Sequence, residues 1–134
     1  MNRDGTSDVN VVESLRPALH DATDGQAVDL QGCDGALIAC TTGAIDGTAN
    51  AATLIKIQES DASGSGYDDV ADADLIGTEP TTLTANTIYQ LAYIGSKRYI
   101  RIVIASGGAT SVAASGVVAR RFLAQEPAGF SVAS

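Results

Sequence analysis

Apolar and polar residues alternate with period two along one short segment of this chain after another, and clusters of Asp, Gly and Ser end each segment. A strand with one buried face reads this way, because successive side chains point to opposite sides. An amphipathic helix needs a longer stripe with helical spacing, and no segment carries one. The chain is therefore expected to be all-β.

The clearest alternation covers residues 88–94 and 97–104, separated by Gly95-Ser96. A two-residue linker with Gly first suits a type II′ hairpin, whose first central residue needs positive φ. That turn would pair Tyr93 with Arg98, Leu91 with Ile100, Gln90 with Arg101 and Tyr89 with Ile102. Leu91, Ile100, Tyr89 and Ile102 would face the core, and Gln90 and Arg101 would face water. Other strands are expected over 9–15, 26–30, 36–42, 54–59, 67–70 and 112–121, with one helical turn near 71–75. Turns are expected at Asp24-Gly25, Asp34-Gly35, Asp46-Gly47 and Ser106-Gly107-Gly108, where Asp and Gly tolerate backbone angles that other residues resist. About eight strands, mostly joined by hairpins, close most economically as an antiparallel β-sandwich.

The 134 residues suffice for one domain with its own core. Residues 1–8 and 124–134 lack strand alternation and read as N- and C-terminal arms around a sandwich domain at 9–123. Phe130 and Val132 are apolar residues in an arm that has no sheet to join. With the outward-facing Arg101, they are the candidate contacts to a partner.

Charge narrows the range of partners. Eight basic against sixteen acidic side chains leave a net charge of −8, which repels phosphates unless the basic residues cluster strongly. Lys97-Arg98 with Arg101, and Arg120-Arg121, are short groups set in apolar runs, so nucleic acid is not an expected partner. The first residues lack the apolar core of a secretory signal, and no run approaches the roughly 20 apolar residues that span a bilayer. Synthesis in the cytoplasm, with no membrane partner, is the expectation. Cys33 and Cys40 are then expected to be thiols.

Several patterns invite a chemical reading. Residues 61–72 place oxygen-bearing side chains at Asp61, Ser63, Ser65, Asp69 and Asp72 with Gly66 sixth, the spacing of a calcium loop. Serines at the third and fifth positions, Asp at the last and strand-like flanks favour an ordinary polar turn instead. The carboxylates Asp68, Asp69, Asp72 and Asp74 could be paired for acid–base hydrolysis, but no aromatic platform accompanies them, and Trp is absent. His20 beside Asp21 lacks a nucleophile-elbow sequence and reads as a surface histidine. The Gly-rich stretches do not match a phosphate loop. No enzyme activity, metal or cofactor is expected.

Four stretches, in order, resemble a family of short head proteins of tailed bacteriophages. They are Val28 to Gly32, Leu54 to Asp61 (Leu-Ile-Lys-Ile-Gln-Glu-Ser-Asp), Tyr67 to Leu75 (Tyr-Asp-Asp-Val-Ala-Asp-Ala-Asp-Leu) and Tyr93 to Ile102 (Tyr-Ile-Gly-Ser-Lys-Arg-Tyr-Ile-Arg-Ile). The resemblance spans about residues 9–123 and implies a jelly-roll-like sandwich serving as a capsid cement, or decoration, protein. It also implies the major capsid protein as partner, contact between neighbouring cement subunits, and a place on the capsid exterior after assembly in the bacterial cytoplasm. Cys33 and the extended C-terminal arm depart from the family pattern. Two other readings stay open: a head–tail joining or tail-tube protein, which would form rings, and a carbohydrate-binding module, which the lack of Trp disfavours.

Overall fold

The computed structural model describes residues 9–122, and in it the alternating segments become strands. These are β1 (Val9–His20), β2 (Ala22–Asp24), β3 (Val28–Asp29), β4 (Cys33–Gly47), β5 (Leu54–Ser60), β6 (Asp68–Asp69), β7 (Leu75–Ile76), β8 (Ile88–Tyr93), β9 (Tyr99–Ala105) and β10 (Ala109–Phe122). The helical turn near 71–75 is a single 3-10 turn at Asp72–Asp74. All strand pairings are antiparallel. Sheet 1 runs in the order β1-β10-β4-β8-β7, and sheet 2 in the order β2-β9-β5-β6, with β3 also on β9. The protein is thus an all-β sandwich, with ten strands among the described residues where about eight were expected. Both arms, and with them Phe130 and Val132, lie outside the described residues.

The core lies between the two inner faces. Ile38 and Cys40 of β4, Leu91 and Tyr93 of β8, and Val112 and Val118 of β10 meet Ile55 and Ile57 of β5 and Ile100, Ile102 and Ile104 of β9. A bulge in β1 near Glu13 and Leu15 turns both Ser14 and Leu15 inward. The buried Ser14 hydroxyl accepts from the Ile102 amide at 3.1 Å and donates to the Gln26 carbonyl at 2.8 Å, pinning β1 to sheet 2.

The expected hairpin at Gly95-Ser96 is not formed. β8 pairs with β4 and β7 in sheet 1, whereas β9 pairs with β5, β2 and β3 in sheet 2. The inward assignments nonetheless hold for Leu91, Ile100 and Ile102, which are buried, and for Tyr89, which is half-buried and packs on the core. Alternation states which face of a strand is buried, and in a sandwich both sheets bury a face. It cannot say whether two successive strands lie side by side or across the core. The Tyr93 ring occupies the corner instead: its hydroxyl accepts from the Lys97 amide at 3.0 Å and donates to Glu59 Oε1 at 2.8 Å.

Three smaller expectations change with it. Most connections cross between sheets and are not hairpins, β8 to β9 and β9 to β10 among them. Asp34-Gly35 sits inside β4, and the turn falls earlier, where the Cys33 amide bonds the Leu30 carbonyl at 2.9 Å and Gly32 supplies a φ of 81°. His20 is buried, not on the surface, because β1 continues past Pro17. Its ring lies 2.8 Å from the Arg16 carbonyl and 3.2 Å from Thr23 Oγ1.

Only two residues of β6 cover the outer edge of β5, and a following loop closes the rest. The Pro80 carbonyl accepts from the Ile55 amide, the Glu79 carboxylate accepts from the Ile57 amide at 2.6 Å, and the Leu83 amide donates to the Thr53 carbonyl. Such cover prevents edge-to-edge pairing with another chain. Burial, opposed by the Ile57 bond and reinforced by Asp69 and Asp72, raises the Glu79 carboxyl above its ordinary 4.5. A raised folded value favours the protonated form in the folded state, so this residue's contribution is fullest below 4.5 and is lost as pH rises through the folded value. Glu79→Gln keeps an acceptor for Ile57 without the desolvated charge. The variant should match or exceed the parent in urea midpoint at neutral pH, and the difference should vanish in acid. A variant weaker at neutral pH would mean that the charge itself holds the edge.

Candidate interaction face

The outward surfaces of the two sheets differ in chemistry. Across sheet 2, Arg101 of β9 lies opposite Gln58 of β5, which lies opposite Asp69 of β6. Arg101 Nε and Nη2 donate to Gln58 Oε1 at 3.0 and 2.7 Å, and Gln58 Nε2 donates to Asp69 Oδ1 at 3.0 Å. The guanidinium also sits 4.0 Å from the Tyr67 ring centroid and 3.6 Å from Asp24 of β2. Arg101 does point away from the core, but its side chain is only 22% exposed. Nearby, Arg98 forks onto Asp29 at 3.0 and 2.9 Å, and that hydrogen bond is the main cause holding the Asp29 carboxyl below its ordinary value. Lys97 meets Asp61 at 3.0 Å.

Sheet 1 presents the opposite surface. Val11 of β1 lies opposite Ala119 of β10, Ala119 opposite Leu37 of β4, Leu37 opposite Ala92 of β8, and Ala92 opposite Ile76 of β7. Directly paired residues share a face, so this is one apolar row crossing all five strands of the sheet. Val11 is 61%, Leu37 41% and Ile76 60% exposed. Val117 and Ala39 continue the apolar surface in the adjacent row, and Ile94 borders it at 54% exposure. Between Val9, Gly35, Leu37, Ala92, Ile94, Ala119 and Arg121 the surface dips into an open groove of about 330 Å³.

The other chemical patterns do not converge. Among the described residues no three His, Cys, Asp or Glu side chains stand close enough to hold a metal ion. Asp61 pairs with Lys97, while Asp69 is turned onto Gln58 and Lys56 of β5. Both ring nitrogens of His20 face neighbours within β1 and β2. Cys33 and Cys40 lie on one strand, seven residues apart, beyond disulfide reach along an extended backbone. Burial alone lifts the Cys40 thiol to about 12, leaving it a packing group. No helix among the described residues is long and apolar enough to cross a membrane.

The apolar row was missed at the level of sequence, although a signal for it exists. Ala36-Leu37-Ile38-Ala39-Cys40, Val117-Val118-Ala119 and Leu91-Ala92-Tyr93-Ile94 are unbroken apolar runs. In a sheet buried on one face, such runs place apolar residues on the outer face as well. No family model matches the chain, and no curated protein matches it in sequence.

Proposed function

We propose that this chain is a structural subunit of a tailed-bacteriophage head, a cement protein with jelly-roll-like connectivity that binds the outside of the capsid and ties neighbouring capsomers together. The observation that carries this reading is the apolar row Val11–Ala119–Leu37–Ala92–Ile76, exposed on one face of the sandwich while the opposite face is closed by its own polar ladder. An apolar face with a polar rim fits contact with another protein. The resemblance in the four quoted stretches makes that protein the major capsid protein, with like subunits as neighbours.

The physics of a shell suits such a face. Packaged DNA pushes capsomers apart, and an external subunit bridging them repeats one modest contact at every equivalent site, so a small gain per copy is multiplied. The face of sheet 1 is a better-supported contact than Arg101, whose guanidinium is already engaged by Gln58, Tyr67 and Asp24. Phe130 and Val132 remain candidate contacts from the C-terminal arm. No catalytic role, nucleic-acid contact or membrane contact belongs to this reading.

Electron microscopy of the native particle tests it. Density for this sandwich on the outer surface of the head, with sheet 1 toward the shell, is the expected result. Rings of the chain at the neck or tail would transfer it to the head–tail joining or tail-tube class, and absence from the particle would end the virion reading.

A further inference from the structure

We infer that the free protein is a reversible dimer in which two copies pack sheet 1 against sheet 1, about a two-fold axis lying along the apolar row. This pairing goes beyond the virion reading and does not rest on it. The large apolar side chains exposed among the described residues, Val11, Leu19, Leu37, Ile76, Ile88 and Ile94, all lie on or beside that one face. The outer side of sheet 2 is instead filled by the polar ladder from Arg101 through Gln58 to Asp69. Five strands spaced at about 4.8 Å, with β10 running from Ala113 to Arg121, outline roughly 600 Å² a copy and about 1,200 Å² for two, the lower limit for a specific stable interface. A contact of that size is one that dilution can open.

A net charge of −8 a copy opposes association, but little of it stands on this face. Register sorts the outward residues into successive rows. Val9, Arg121 and Gly35 form the first, the apolar row is the second, Glu13, Val117, Ala39 and Gln90 make the third, and Ser115, Thr41 and Ile88 the fourth. Glu13 and Arg121 are the charged residues of these rows, and they cancel. Asp34 adds one negative charge at the rim of the groove beside Arg121, and Asp46 lies past the fourth row, near the end of β4. Many of the other carboxylates, Asp24, Asp29, Glu59, Asp61, Asp68 and Asp69 among them, belong to sheet 2 or its loops. They stand across a sandwich about 10 Å thick, beyond the Debye length of about 8 Å at physiological salt.

Charge also selects the arrangement. An axis along the apolar row lays that row on itself and sets the first row of one copy over the third row of the other, strand over like strand. Arg121 then falls over Val117 of the other copy, with Glu13 one strand, about 5 Å, to the side. An arginine side chain spans that offset, and the symmetry makes the Arg121–Glu13 pair twice. Among the described residues no carboxylate forms an ion pair with Arg121, and Glu13 meets only the exposed Arg16, at 3.7 Å. Asp34 falls toward the Thr41 and Ser115 hydroxyls, which lie 2.9 Å apart. An axis along the strands would instead lay β1 over β7 and leave Arg121 and Glu13 without these partners. Paired copies keep the row from water, and dissociation frees it for a larger surface.

Sedimentation of the full chain over a range of concentrations tests the pairing. A dimer that dissociates on dilution is the expected result, and Leu37→Ser, in the middle of the row, should weaken it about tenfold or more. Arg121→Glu and Glu13→Arg, both at exposed positions, should each weaken it as well, because each sets like charges together. Mixed in equal amounts, these two variants should dimerise again, since opposite charges then meet at both contacts. Isotope-filtered spectra of labelled and unlabelled parent protein keep the test decisive should a variant fold poorly: methyl contacts between Leu37 and the other copy's apolar row are expected. A monomer at every concentration overturns the inference and leaves the row to a different occupant. A dimer indifferent to Leu37→Ser, or a mixture of the charge variants that stays monomeric, overturns it too. None of these outcomes bears on whether the chain sits on a phage head, and its absence from heads would leave the dimer standing.

Discussion

Ile102→Ala should lower the unfolding free energy by about 2–5 kcal/mol, the usual range for truncating a buried aliphatic side chain. Ile102 is wholly buried on β9, and its Cδ1 approaches Gly116 of β10 so closely that an ideal Cβ there would stand 2.6 Å away. Cys40 Sγ and Leu15 Cβ flank the same spot at 3.3 and 3.4 Å. The missing side chain of Gly116 is thus the notch in sheet 1 that receives the tip of Ile102 from sheet 2. Gly116→Ala should in turn overpack the contact and cost about 1–3 kcal/mol. Combined, the two substitutions should cost clearly less than their sum, because the new methyl enters space that Ile102 vacates. Denaturant unfolding of the four proteins reads out this cycle. Strict additivity would place Ile102 and Gly116 in separate environments and undo the cross-sheet contact.

That contact marks the limit of what residue patterns convey. The inward set Leu91, Ile100 and Ile102 was legible, because burial on one face imposes alternation whatever the partner strand. The partner itself was not legible: Ile100 faces the core from sheet 2 and Leu91 from sheet 1, although a two-residue linker appeared to join them as neighbours. Strand lengths were blurred for a similar reason. β4 and β10 extend beyond the segments expected for them because Gly35 and Ala109 still find partners across the ladder, while Asp34 and Thr110 are taken up at irregularities in its register. β2 and β7 are too short to show any period. The outward role of Arg101 was visible, but its engagement by Gln58, Asp24 and Tyr67 depends on strands brought together from distant parts of the chain. The apolar row on sheet 1 has the same origin, since its five residues come from five strands.

Tyr93→Ala should be among the most damaging single changes, at about 3–5 kcal/mol, since it empties the space of a buried aromatic ring. The ring is 1% exposed and fills the corner where the chain passes from sheet 1 to sheet 2. Tyr93→Phe isolates the hydroxyl, whose loss leaves the Lys97 amide and the Glu59 carboxylate without this partner, and should cost about 1–3 kcal/mol. The two variants should also differ in where they loosen. With Phe, hydrogen exchange should quicken at Lys97 and at Leu30, whose amide bonds the Arg98 carbonyl, while Ile38 in the middle of sheet 1 keeps its protection relative to global unfolding. Burial first, and the bond to Glu59 second, raise the ionisation of Tyr93 above its ordinary value of 10. A raised folded value means that its contribution is fully present below 10 and is lost as pH climbs through the folded value, because the unfolded chain releases this proton first. The parent should therefore lose stability in strong alkali more steeply than Tyr93→Phe. If the two proteins follow the same alkaline curve and Lys97 exchanges alike in both, the hydroxyl does not hold the corner, and the Arg98–Asp29 fork beside it becomes the contact that does.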